Sequence, residues 1–207
     1  VDGAEMLNRF QSILSLLVFC AIPVSGVLYA QPAVETQPSS RVSKNGPIEI
    51  GHSLKLYSSI LEQERVINVY LPPSYVSTTQ TYPVLVVIDG GINEDFHHIS
   101  GIAQWATHSG SYQELIVVGI ENIDRKYDLT SESANEDDKK YVKRRGGSGK
   151  FRAFIANDLL PWIHQTYRTQ ERVGIIGESL AALFITETFL KQPTLFTDYI
   201  AISPSLW

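Results

Sequence analysis

From Ile48 onward the chain alternates between short apolar runs and stretches of helical periodicity. Residues 53–60 and 64–71 place apolar and polar side chains in period two, and Pro72-Pro73-Ser74 closes the second run. Period two with a proline stop predicts two strands, and their adjacency predicts an antiparallel opening pair. Val84-Leu85-Val86-Val87-Ile88 is different, being continuous and rich in β-branched residues. That is the composition of a strand buried on both faces, as in the centre of a parallel sheet. Residues 115–120 and 173–176 repeat the signature, and residues 199–202 do so briefly before Ser203-Pro204. Between them, residues 149–167 set Phe151, Phe154, Ile155, Leu159, Trp162 and Ile163 at three- and four-residue spacing, with Pro161 as the expected kink. Residues 180–190 form a further predicted helix. Strands alternating with helices imply right-handed crossovers, so the predicted class is α/β: a mostly parallel sheet with helices on both faces. Chemistry in such sheets sits at the carboxyl ends of the strands.

The first 47 residues follow another pattern. Arg9 precedes an apolar run over residues 13–21, and Pro23 and Gly26 break that run ahead of Ala30. Residues 1–30 therefore read as a signal peptide region, with cleavage expected after Ala30 and a cut after Gly26 as the alternative. The acidic residues ahead of Met6 do not suit a signal's positive end, so translation is expected to begin at Met6. Residues 31–47 are rich in Pro, Ser, Gln and Thr and read as a linker, which leaves residues 48–207 as the folded domain. The apolar run is too short for a confident membrane span. The expectation is an exported protein, periplasmic or secreted, with no membrane span in its mature chain.

Charge and cysteine content narrow the function classes. With 17 basic and 22 acidic residues, the formal charge is −5, and the basic residues are scattered. No electrostatic footprint for nucleic acid results. The one cysteine, Cys20, lies in the N-terminal apolar run, which rules out a disulfide framework or thiolate metal site in the folded part. His97 and His98 lack a companion set of ligands at recognisable spacing, so neither a metal nor a cofactor is expected. Gly146-Gly147-Ser148-Gly149-Lys150 is no phosphate loop, because Arg144 and Phe151 stand where a glycine and a hydroxyl are needed.

The decisive pattern is Val173-Gly174-Ile175-Ile176 running into Gly177-Glu178-Ser179-Leu180-Ala181, then the apolar Ala182-Leu183-Phe184-Ile185. A strand, a tight turn and a helix in this order make a nucleophile elbow, with Ser179 as the nucleophile. The turn needs positions almost without side chains, which Gly177 and Ala181 supply, although Ala181 departs from the usual second glycine. A serine hydroxyl is a weak nucleophile at neutral pH, so it needs a base and donors for the oxyanion formed on the attacked carbonyl. One donor is the amide of Leu180, at the positive end of the following helix. The second is expected from Asp89-Gly90-Gly91, at the amide of Gly91, where no side chain blocks approach. The base is missing: all five histidines, His52, His97, His98, His108 and His164, precede Ser179. In this fold the acid and the histidine follow the serine, so both are expected beyond residue 207 and the domain is read as C-terminally truncated. Glu132 to Asp138 is acidic and Lys139 to Arg145 basic, an insertion read as a solvated loop. The alternative is a roof over the pocket whose basic half meets an anionic substrate.

Several stretches together resemble the esterase family of α/β-hydrolase fold that includes enterochelin and salmochelin esterases, S-formylglutathione hydrolases and mycobacterial mycolyltransferases. They are residues 65–75 (RVINVYLPPSY), Tyr82-Pro83-Val84-Leu85 leading to Asp89-Gly90, and residues 116–122 followed by Arg125 and Asp128-Leu129-Thr130. Phe151 through Pro161 to Tyr167-Arg168-Thr169, the elbow, and residues 200–207 (IAISPSLW) continue the likeness. The resemblance implies an α/β-hydrolase fold from about Glu64 onward and a second oxyanion donor just after Asp89-Gly90, again Gly91. It also implies a small-molecule ester substrate. The resulting expectation is a serine esterase working through an acyl-enzyme on Ser179, inactive or nearly so without its base. The alternatives are an acyltransferase with the same machinery and a non-catalytic binding protein on a hydrolase scaffold.

Overall fold

β-Branched runs assemble the centre of the protein. The structure, a computed structural model, describes residues 43–135, 137 and 142–206. The chain divides into two units, Val1–Gly46 and Pro47–Trp207, and the fold described is that of the second. The signal peptide region expected over residues 1–30 and most of the expected linker lie outside the described residues.

β1 (His52–Ser58) and β2 (Gln63–Tyr70) form the antiparallel pair that their period-two pattern predicts. β3 (Tyr82–Ile88), β4 (Ile116–Ile120), β5 (Thr169–Glu178) and β6 (Asp198–Ile202) follow as four parallel strands. The spatial order is β1-β2-β4-β3-β5-β6, with β2 antiparallel to β4. Side chains alternate across the central strands, as a pleated strand requires. Val86 and Val118 join a large core with Phe151, Phe154 and Phe184, whereas Val87 and Val117 pack with Phe96 on the opposite face. Helix α1 (Phe96–His108) covers that second face; α2 (Arg125–Leu129), α3 (Ser148–Phe154), α4 (Leu160–Thr166) and α5 (Leu180–Lys191) contribute buried side chains to the first. Both faces are thus closed, which explains why β3 and β4 carry almost no polar residue.

The kink expected at Pro161 takes the form of a widened turn. Residues 155–159 between α3 and α4 are π-helical, and the Leu160 amide bonds back to the Ile155 carbonyl. Proline has no N–H to donate and its ring crowds the carbonyl four residues earlier, so the preceding turn expands to release the clash.

Beneath the carboxyl ends of the strands lies a buried ion pair. Arg65 on β2 is 1% exposed, with its Nη2 2.7 Å from Asp128 Oδ2 on α2 and its guanidinium 5.4 Å from the Phe151 ring centroid. The pair fixes α2, and with it the preceding loop, against the sheet. Arg65→Ala would leave the Asp128 carboxylate buried without its partner, which costs about 3–5 kcal/mol. Urea unfolding should show that loss, and a change under about 1 kcal/mol would mean that the pair holds nothing in place.

Candidate active site

β5 ends at Glu178 and α5 begins at Leu180, so one residue turns the chain from strand to helix. That residue is Ser179, at φ 58° and ψ −111°. An L-residue with positive φ crowds its own Cβ, a strain of about 1–3 kcal/mol that persists only where surrounding contacts fix it. Three backbone hydrogen bonds do so: the Ser179 amide donates to the Ile202 carbonyl at 3.0 Å, and its carbonyl accepts from Leu183 at 3.0 Å and Ser205 at 3.1 Å. Gly177 removes the remaining obstacle, since a Cβ there would lie 2.6 Å from Ala181 Cβ and 3.2 Å from Ile185 Cδ1. Ala181 is fully buried and fills the space that a second glycine would leave open. The departure at Ala181 is therefore accommodated, but it makes glycine obligatory at 177. Glu178 and Ser179 are exposed, and the Ser179 hydroxyl stands clear of the sheet with Ser205 Oγ at 3.0 Å. The Leu180 amide opens a 12-residue helix, where the first N–H groups have no intrahelical partner.

The Asp89 turn lies beside this elbow because β3 and β5 are parallel neighbours with Val87 opposite Ile176. Asp89 also has positive φ, 59°, and is buried. Its carboxylate takes a bidentate pair from Arg125, with Nε at 2.9 and 3.0 Å and Nη2 at 2.7 Å, and a further bond from Asn122 Nδ2 at 2.5 Å. The same Arg125 Nη2 reaches the Glu178 carbonyl at 3.4 Å, so one guanidinium ties the turn to the elbow. Hydrogen bonding to Asp89 raises the Arg125 pKa above its ordinary value, although burial works against this. Gly90 is dictated by close approach: a Cβ there would fall 2.3 Å from Gly119 Cα on β4. Its amide donates to the Ile120 carbonyl at 2.8 Å, and its carbonyl accepts from Asn68 Nδ2 at 2.9 Å.

Gly91 follows, but its amide does not stand open as its bare backbone suggests. The N–H donates to Glu94 Oε2 at 2.7 Å. The turn that brings the Glu94 amide to the Gly91 carbonyl at 3.0 Å also folds the Glu94 side chain back over the Gly91 amide, in the reciprocal manner of a capping box. Asn122 Nδ2 holds the other carboxylate oxygen, Oε1, at 2.8 Å.

The histidines are dispersed. His52 is on β1, His97 and His98 are exposed in the first turn of α1, His108 closes α1, and His164 Nδ1 lies 2.6 Å from Thr169 Oγ1. Of the basic insertion, residues 139–141 lie outside the described residues. Arg144 pairs with Asp124 at 2.6 Å and stacks over the Tyr127 ring, while Arg145 Nη2 donates to the Ser133 carbonyl at 3.0 Å. Among the described residues no three His, Cys, Asp or Glu side chains are grouped to hold a metal ion, and no helix is long and apolar enough to cross a membrane. The bracing roles of Arg125, Asn122 and Ser205 were not readable as roles. All three lie in stretches that carry the family resemblance, but Asn122 and Arg125 stand just past a buried strand with no sign of their partners, and Ser205 reaches Ser179 through the β6 crossover.

The family model described as "Putative esterase" matches residues 58–207. The chain belongs to this esterase family. It is 28% identical over 146 residues to the uncharacterized protein YbbA of Bacillus subtilis, covering 69% of this chain and 58% of that protein. Over 174 residues it is 29% identical to the ferri-bacillibactin esterase BesA of the same organism, covering 75% and 59% respectively. A solved IroE-like serine hydrolase from Shewanella oneidensis superposes with a TM-score of 0.66 at 30% identity, over 76% of this chain and 51% of that one. The chain thus spans somewhat over half the length of the curated relatives it matches. The neighbours share the α/β-hydrolase fold that the family resemblance implies.

Because Gly177 and Ala181 fill one space, their substitutions should not be additive. Gly177→Ala should destabilise by about 1–3 kcal/mol through overpacking. Adding Ala181→Gly should cost less than it does in the wild-type background. A double-mutant cycle by thermal unfolding measures the coupling, and additive effects would contradict the proposed contact.

Proposed function

We propose that this esterase-family chain carries the nucleophile of a serine hydrolase, with Ser179 attacking a carboxylic ester to form an acyl-enzyme. The observation that supports this most is the strained Ser179 itself, exposed at a one-residue turn where nothing but its hydroxyl profits from the geometry. The attacked carbonyl carbon bonds to Ser179 Oγ, and the electron pair of its π bond moves to oxygen. The Leu180 amide, and the Gly91 amide once Glu94 Oε2 releases it, are the donors that would stabilise that developing charge. The base takes the Ser179 hydroxyl proton and returns it to the leaving oxygen as collapse of the tetrahedral intermediate expels the alcohol, and water then releases the acid by the same route. Nothing in this sequence requires a metal or cofactor.

Ser179 still needs a base, and among the described residues no histidine contacts it. The chain on its own should therefore hydrolyse esters slowly or not at all. The name of the ferri-bacillibactin esterase BesA favours a small-molecule ester of the iron-chelating type as substrate. Residues 1–30 favour export, and so a periplasmic or secreted site of action.

Kinetics on the complete gene product provide the test. Ser179→Ala should reduce hydrolysis of a chromogenic acyl ester by roughly a thousandfold or more, leaving only residual electrostatic catalysis. Equal rates for the variant and the wild type would remove Ser179 from the chemistry.

A further inference from the structure

The carboxylate on the Gly91 amide bears on how this site is controlled. Glu94 Oε2 lies 2.7 Å from Gly91 N, so the proton that a substrate oxyanion would take from this amide is already engaged. An amide has a single proton and cannot serve both acceptors at full strength. A carboxylate beside a developing alkoxide also opposes it by charge. We propose that Glu94 is a self-inhibitory latch, an internal anion seated in the oxyanion hole, which must swing away before Ser179 can react at full rate. The inference rests on Ser179 as nucleophile and Gly91 as second donor, and it adds the step that governs when both are available.

The latch is built rather than incidental. Asn122 Nδ2 anchors the far oxygen of Glu94 at 2.8 Å while holding Asp89 Oδ1 at 2.5 Å, so the carboxylate is fixed from both sides. Glycine at 91 is what lets it close: a Cβ there would meet Glu94 Oε2 at 2.7 Å and Glu121 Cγ at 2.9 Å. Opening requires no backbone change. Rotation of the half-buried Glu94 side chain frees the amide, and the turn keeps its Arg125–Asp89 brace and its Asp95 amide to Asp89 carbonyl bond at 2.8 Å. The closed state keeps only the Leu180 donor. Losing one oxyanion donor costs a serine hydrolase about a hundred- to a thousandfold in rate. The latch need only be favoured about tenfold, within reach of a charge-assisted hydrogen bond, to dominate the resting enzyme.

The test compares the complete gene product with its Glu94→Ala, Glu94→Gln and Ser179→Ala variants. Two quantities are read: kcat/KM for a neutral acyl ester and the affinity for a trifluoromethyl ketone, which forms an oxyanion on the serine. Removing the carboxylate should raise kcat/KM about tenfold, mostly in kcat, and tighten ketone binding by a similar factor. Glu94→Gln keeps the shape with a weaker, uncharged acceptor and should fall between the two. A role confined to stability would lower the melting temperature without tightening ketone binding. Unchanged or reduced kcat/KM and ketone affinity in both Glu94 variants, with Ser179→Ala still inactive, would overturn the latch and leave the nucleophile standing. Hydrolysis surviving in Ser179→Ala would overturn both.

Discussion

One backbone conformation organises this protein. Ser179 must hold a positive φ between a buried strand and a buried helix, a state that its own Cβ opposes, and the neighbouring structure supplies what keeps it there. β5 fixes the entrance and α5 the exit. The return of the chain through β6 provides the Ile202 carbonyl and the Ser205 amide that close on the Ser179 peptide groups. Packing sets the limit on the turn: Ala181 and Ile185 stand where a side chain on Gly177 would have to go, so the elbow is tight on both sides. Strain at one residue is thus offset by contacts spread over two strands and a helix, which is how an exposed hydroxyl can be presented on a rigid base.

Electrostatics then joins this elbow to the second turn. Arg125 is held charged by Asp89 and extends to Glu178, so the two strand ends that would flank a reacting carbonyl share one guanidinium. Arg65 and Asp128 do for α2 what Arg125 and Asp89 do for the turn, with the difference that they are fully enclosed. Buried ion pairs contribute little net stability when intact, yet cost much when broken. Their effect here is positional: α2 is clamped near its two ends, through Arg125 and Asp128, which also fixes the loop from β4 that carries Asn122.

The strands of the central sheet were legible because enclosure on both faces leaves a continuous β-branched run, as in residues 84–88, that little else produces. The elbow was legible because its constraints are local, one residue type at each of a few successive positions. α1 was harder to read, since its buried positions include Ser100 while Ile102 and Trp105 face solvent, which blurs the apolar stripe. The location of the Gly91 turn could be read from Asp89-Gly90-Gly91, but its occupancy could not. Whether an amide is open depends on where a side chain three residues later is drawn, and Asn122, on another strand's loop, draws Glu94 inward. Sequence pattern reports backbone requirements well and the competition between polar partners poorly. Membership of the esterase family rests on residues 58–207 as a whole, whereas the site roles rest on individual contacts.

Covalent trapping tests the assignment of Ser179 most directly. Treating the complete gene product with a fluorophosphonate and mapping the adduct by peptide mass spectrometry should place one phosphonyl group, bonded through oxygen with loss of fluoride, on Ser179. An adduct on Ser205 or another hydroxyl, or none on protein that hydrolyses esters, would contradict the account.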